Sequence, residues 1–320
     1  MNLGKGLEEQ AVLCHGVLDP GLEHDAAGQR ADDHDDGHDG HNRTGVIADE
    51  GDLGCQQGDG RIGGSQLIHG QQTGSHGGQT GVQGQDDESG QDQTPGMTAG
   101  SFFLKGCNLR CPYCYNIGLV VPQYYDKELN TLEELFSHLE KRQGILSGLV
   151  ISGGEPLINT ATPAIIKKAK ELGYKVKLDT NGTFPSRLKE FIENPELKPD
   201  FIAMDIKTSP YRYPQTMCIK NSVTDKYFFR SILKESADLI STYPADKREW
   251  RTVLVPGLVE KQDIKEMAEL LPQDASWQFA QFRNGNCIDS SYNTLAPYLD
   301  SEINELITYA KSLIKNVQLR

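Results

Sequence analysis

Three cysteines crowd into the run Gly106-Cys107-Asn108-Leu109-Arg110-Cys111-Pro112-Tyr113-Cys114, with three and then two residues between them. Thiolates are the usual ligands of iron–sulfur clusters. Three of them from one loop can take three irons of a four-iron cluster and leave the fourth iron to an outside ligand. A structural zinc site asks instead for a fourth protein ligand, as a rule from a second paired-cysteine knuckle. None of His138, Cys218 and Cys287 offers that pairing, so the last two cysteines read as small buried hydrophobes. A zinc-stabilised binding protein is the non-enzymatic alternative.

A loop of this kind needs a scaffold that aims several loops at one place. After Gly100 short apolar runs alternate with stretches of 3.6-residue period, the mark of repeated βα units and a parallel sheet. Six strands are expected, over Ser101 to Lys105, Gly148 to Ser152, Lys175 to Thr180, Phe201 to Lys207, Arg251 to Val255 and Trp277 to Arg283, with Asn316 to Arg320 as an edge strand. Thr131 with Glu134 predicts a capping box, Thr162 and Pro163 a helix start, and Asp300 a cap for the last helix. Leu132, Leu135, Phe136 and Leu139 share one helical stripe, as do Ile303, Leu306, Ile307, Ala310 and Ile314. About 220 residues suit six βα units and fall short of a closed eight-stranded barrel, so the expected α/β fold is an incomplete (β/α)6 TIM-like barrel.

In such a fold ligands sit at the carboxyl ends of the strands. The cysteine run follows the first strand, and Ser152-Gly153-Gly154-Glu155-Pro156 ends the second. The third ends in Leu178-Asp179-Thr180-Asn181-Gly182 and the fourth in Met204-Asp205-Ile206-Lys207, which sends two carboxylates to the same rim with Lys207 to offset their repulsion. Arg251 is either part of that rim or a strand-initiating surface residue, and Gln281 and Arg283 point towards the mouth.

The cysteine spacing, with an aromatic residue before the last cysteine, resembles the defining motif of the radical S-adenosylmethionine (SAM) superfamily. The resemblance implies a 4Fe-4S cluster on Cys107, Cys111 and Cys114, SAM on its open iron, and Tyr113 against the adenine. Gly153, Gly154, Glu155 and Pro156 resemble the superfamily's GGEP motif, in which the glycines admit a close ligand and Glu155 accepts from the methionine ammonium. The Asp179-Thr180-Asn181 and Asp205-to-Lys207 segments, with Arg251, are similar to those of glycyl-radical-enzyme activases. There they imply contacts to SAM and to a monovalent cation near Asp179 and Asp205. The likeness runs from about Thr94 to Arg320, and the final QFRNGN, APYLD and NVQLR stretches resemble the activating proteins of anaerobic ribonucleoside-triphosphate reductase. That branch implies the reductase as partner and a flavodoxin- or ferredoxin-type electron donor. A pyruvate formate-lyase type activase and a small-molecule radical SAM enzyme share nearly every motif.

Composition divides the chain at Gly100. The first hundred residues hold 23 of the 33 Gly, seven of the eight His, 18 acidic against 4 basic residues, and no Phe, Tyr or Trp. Without aromatics they bury too little to offset the entropy of ordering, so residues 1–93 are expected to be a disordered low-complexity leader and 94–320 the catalytic core. The leader's composition is equally that of a misframed or non-native stretch, in which case Met97 is the start. Its run from His34 to His41 binds divalent ions only loosely. The rest of the chain, with 27 acidic and 28 basic residues, offers no basic face for nucleic acid and no polybasic run for a membrane. No apolar run reaches the length of a membrane span or signal peptide. The clustered cysteines fit a reducing compartment, and the expected location is cytoplasmic.

Overall fold

The structure is a computed structural model that describes residues 98–124, 130–218 and 227–320; the expected leader over 1–93, with its His/Asp run and Met97, lies outside them. Seven strands form one sheet in sequential order: β1 (Ala99–Leu104), β2 (Gly148–Gly153), β3 (Lys175–Thr180), β4 (Phe201–Asp205), β5 (Arg248–Leu254), β6 (Ser276–Gln281) and β7 (Asn316–Leu319). Every neighbouring pair is parallel, and β1 and β7 are the outer strands of an open, TIM-like partial barrel. The helices are α1 (Ile117–Val120), α2 (Leu132–Lys141), α3 (Thr162–Glu171), α4 (Pro185–Glu193), α5 (Tyr213–Thr216), α6 (Phe228–Ile240), α7 (Lys261–Ala268) and α8 (Asp300–Leu313).

The two faces of the sheet differ in chemistry. Along one face the register aligns Phe102 with Ile151 and Leu178, Ile202 with Leu178, and Trp250 with Trp277 and Val317; all are buried. Leu135 and Leu139 of α2, Ile165 and Ile166 of α3, and Ile303 and Ala310 of α8 belong to the same core. Burying each such side chain contributes about 1.5–3 kcal/mol, which is what fixes the helices to this face. The other face carries Ser101, Lys177, Asp179, Asp205, Glu249 and Arg251, so polar and charged side chains of β1, β3, β4 and β5 line the barrel's interior.

Most expected elements form where their patterns put them, with ends displaced by up to three residues, and three of these shifts change the place of a named residue. β5 begins at Arg248, so Arg251 is buried in mid-strand and does not initiate it. β4 ends at Asp205, leaving Lys207 in the following loop, although Ile206 N–H still donates to Arg251 C=O at 2.9 Å. α8 starts with Asp300 as its first helical residue; Leu299 N–H donates to the Glu302 carboxylate at 2.7 Å, so Asp300 is not the cap. The Thr131–Glu134 capping box forms, with Thr131 N–H donating at 2.7 Å and Glu134 N–H at 3.2 Å.

Candidate active site

The cysteine loop leaves β1 and is held by the Arg110 side chain and by backbone contacts to other segments. Arg110 donates to the carbonyls of Cys107 (2.6 Å) and Leu109 (2.8 Å), and its N–H donates to Met217 C=O at 2.7 Å. From the far side of the sheet the loop after β6 closes on it: Ile288 N–H donates to Cys114 C=O (3.0 Å) and Asp289 N–H to Pro112 C=O (2.9 Å). No sequence signal pointed to this clamp, because it pairs backbone groups some 175 residues apart on a general loop geometry.

The three thiols face one another closely enough to interact electrostatically. Burial pushes the Cys107 thiol up to about 12, with Glu155 and Cys114 adding to the shift. Cys111 and Cys114 are raised as well, burial again leading, while Lys207 opposes it. Leu109 N–H donates to Cys107 Sγ at 3.4 Å, and Asn181 Nδ2 stands 4.0 Å from the same sulfur. The Tyr113 ring is buried edge-on to Phe282, with centroids 6.5 Å apart, and its hydroxyl is buried without a hydrogen-bond partner.

Gly153 and Gly154 bring backbone against backbone. Gly153 has φ +118°, and a Cβ there would meet Leu104 N at 2.3 Å; a Cβ on Gly154 would lie 2.0 Å from Gly106 O. The pair therefore presses the loop after β2 onto the start of the cysteine loop, and Glu155 N–H donates to Gly106 C=O at 2.8 Å.

Glu155 is fully buried, and its carboxylate accepts from Leu157 N–H (3.1 Å), Thr180 Oγ1 (2.8 Å) and Asn181 N–H (2.7 Å). Glu155 thus braces the ends of β2 and β3, and Asn181 links that brace to Cys107. Burial raises its pKa to about 7 in spite of these donors. Pro156 begins a short 3-10 turn, Pro156–Ile158, and accepts from Thr162 Oγ1 at 2.6 Å. Asn181 Nδ2 donates to Asn108 Oδ1 (3.0 Å), Asn108 Nδ2 to Thr183 Oγ1 (2.9 Å), and Thr183 Oγ1 back to Asn181 Oδ1 (2.6 Å). Asn108 and Thr183 were not anticipated, although Asn108 stands inside the cysteine run.

Asp179 and Asp205 do reach one rim. Between them lies Arg251, 3.2 Å from Asp179 and 2.7 Å from Asp205, and Lys207 adds a contact of 2.8 Å to Asp205. The Arg251 guanidinium thus bridges the two carboxylates expected to stand near a monovalent cation. Burial would raise the Asp205 pKa, but Arg251 and Lys207 hold it well below the usual carboxylate range. Lys207 stays protonated far above neutral pH: burial would lower its pKa, and Asp205 outweighs that. Its N–H donates to Tyr213 Oη at 2.8 Å. Deeper in, Lys177 is 3.9 Å from Asp179 and 3.0 Å from Glu249. The result is a row of alternating charges, Glu249, Lys177, Asp179, Arg251, Asp205 and Lys207, running up the barrel's interior. Its legible signature was the charged alternation in Lys175, Lys177 and Asp179 and in Glu249 and Arg251 of otherwise apolar strands. Gln281 is exposed and donates to Tyr298 C=O at 3.2 Å, and Arg283 lies exposed beyond the end of β6.

The fold and the three-thiol loop define a class. The model of the Radical SAM superfamily matches residues 101–271, and the chain belongs to that superfamily. It is 30% identical over 227 residues to a protein of Methanocaldococcus jannaschii provisionally named a glycyl-radical enzyme activating enzyme, a match covering 71% of this chain and 90% of that one. A second protein of that organism with the same provisional name is 27% identical over 52% of this chain and 60% of its own. A 7-carboxy-7-deazaguanine synthase of Aquifex aeolicus is 28% identical over 52% of this chain and 70% of its own.

Enzymes of this superfamily use a 4Fe-4S cluster and SAM, and the residues present fit such a group. Three thiols free of disulfides, an N–H aimed at one sulfur and the buried, unpartnered Tyr113 hydroxyl make a donor set of the right chemistry.

Proposed function

We propose that this chain is an activating enzyme that installs a glycyl radical on anaerobic ribonucleoside-triphosphate reductase. The observation that carries the reading is similarity along 90% of a relative named for glycyl-radical enzyme activation. The likeness of the closing QFRNGN, APYLD and NVQLR stretches to the reductase-activating branch supports the choice of partner.

In this reading Cys107, Cys111 and Cys114 bind the cluster and Tyr113 packs beside the adenine of SAM. The chemistry that the cofactors supply when bound is one-electron cleavage of SAM to methionine and a 5'-deoxyadenosyl radical, which takes hydrogen from a glycine of the partner. The protein's own residues hold the geometry. Gly153 and Gly154 seat the cysteine loop, and Pro156 stiffens the turn that follows. Glu155, through Thr180 and Asn181, fixes the amide beside Cys107. Asp179, Asp205, Lys207 and Arg251 set a rigid, charged rim for the amino and carboxylate groups of SAM. An open sheet with a polar interior admits a loop of a protein partner, and a flavodoxin or ferredoxin in the cytoplasm provides the electron.

The test is anaerobic. The chain is reconstituted with iron and sulfide, mixed with the reductase, a reduced flavodoxin and SAM, and read by electron paramagnetic resonance and by 5'-deoxyadenosine release. A glycyl doublet on the reductase is expected. A doublet only on a pyruvate formate-lyase type enzyme reassigns the partner. Consumption of a deazapurine precursor with no protein radical establishes the second reading, which the similarity to the Aquifex synthase favours.

A further inference from the structure

The opposite end of the barrel carries a feature that neither the cluster nor the partner uses. A cavity of about 540 Å³ opens among the N-terminal ends of β1 to β4 and the loops that lead into β4 and β5. Five lysines line it, Lys170, Lys175, Lys177, Lys198 and Lys247, with Asp200 the only acidic residue of its wall. Three of these cations are engaged: Lys175 by Asp200 (3.0 Å), Lys177 by Glu249 (3.0 Å) and Lys247 by the exposed Asp246 (3.6 Å). Lys170 donates only to the backbone carbonyl of Pro195 at 3.1 Å, and Lys198 lies 5.1 Å above the Tyr243 ring. Neither has a carboxylate within ion-pair distance among the described residues. Two uncompensated ammonium groups therefore stand over walls whose at least partly exposed apolar members are Ala99, Pro195 and Phe201.

We propose that this cavity binds an organic phosphate of nucleotide size. Lysine ammonium groups are point-charge partners for phosphate, and two of them plus a weakly held third match a polyanionic head. The apolar walls would be left facing water by an inorganic ion but are covered by a heterocycle or sugar. The volume lies within the roughly 300–1,000 Å³ usual for small-molecule sites. The site is separate from the thiol end: β3 has Lys175 in the cavity and Thr180 beside Glu155, and its six residues span about 17 Å at ~3.3 Å per residue.

The experiment uses the full chain and ATP as probe, with inorganic triphosphate as comparison, followed by isothermal titration calorimetry. Saturable ATP binding is expected, weakened at least about tenfold in Lys170→Glu/Lys198→Glu, with SAM cleavage by the reconstituted variant unchanged. Both positions are at least partly exposed away from the apolar core, and Lys170→Gln/Lys198→Gln gives a milder second variant, expected to bind ATP less tightly than the wild type. No saturation at millimolar ATP, equal affinity in the charge-reversed chain, or displacement by S-adenosylhomocysteine each overturns the proposal. Inorganic triphosphate binding as tightly as ATP overturns the organic part of it.

Discussion

Cys111 and Glu155 sit one loop apart and respond to pH in related ways. Burial raises the Cys111 thiol above its ordinary value, so the cofactor-free protein holds it protonated and metal loading must displace that proton. Cys111→Ser is expected to reduce iron content and deoxyadenosine release to background while changing the stability of the cofactor-free protein by no more than about 1 kcal/mol. Full iron content in the purified variant would remove Cys111 from the cluster. Glu155 behaves as a buried acid with its pKa raised to about 7 from 4.5. The folded state then binds the extra proton, so this contribution to stability is fully present below 4.5 and is lost as pH rises through about 7. Thermal melts of the cofactor-free protein should fall between pH 5.5 and 7.5, and Glu155→Gln should flatten that fall. An identical slope in wild type and variant would show that the three donors keep Glu155 ionised throughout.

At the scale of elements, the loops after β1 and β2 are a single unit held by glycine. Gly154→Ala places a Cβ 2.0 Å from Gly106 O and 2.6 Å from Gly106 C, and both are backbone atoms that cannot rotate away. We expect a loss of about 1–3 kcal/mol and a lower cluster yield with all three cysteines intact, measured by melting and by iron per chain. A variant with normal iron would show that the contact does not shape the cysteine loop. These loops also mark where sequence stops being informative. β3 was legible residue for residue because Val176 and Leu178 alternate with charged neighbours between a glycine turn and Thr180. β5 begins three residues before its expected start, since Arg248 and Glu249 look like surface until Glu249 is known to lie on a polar interior side and Arg248 beside Ser241 and Asp274. The glycine pair suggests a ligand, its tightest contact is with a neighbouring loop, and no local pattern encodes which backbone will come close. The clamp from Ile288 and Asp289 is non-local in the same way.

Taken as a whole, the molecule keeps its apolar core between sheet and helices and gives the barrel's interior to charge. Ala203 makes the interior row possible: the register sets it between Asp179 and Glu249, and its small side chain leaves room for Lys177 and Arg251 to reach across β4. Arg251→Met leaves Asp179 and Asp205 facing each other, and a cost of about 3–5 kcal/mol is expected, as for breaking other buried pairs from one side. Adding Asp205→Asn to that variant should restore much of the stability, and a double-mutant cycle by urea unfolding measures the coupling. Strict additivity of the two changes would show that the contact is not shared. The row of six charges sums to zero with signs in alternation, and that gives the interior a parity. Removing one member leaves an odd, uncompensated charge inside the barrel, whereas removing two adjacent members leaves an even row. Single substitutions along it should therefore be tolerated worst, and viable departures should arrive as neighbouring pairs of opposite sign.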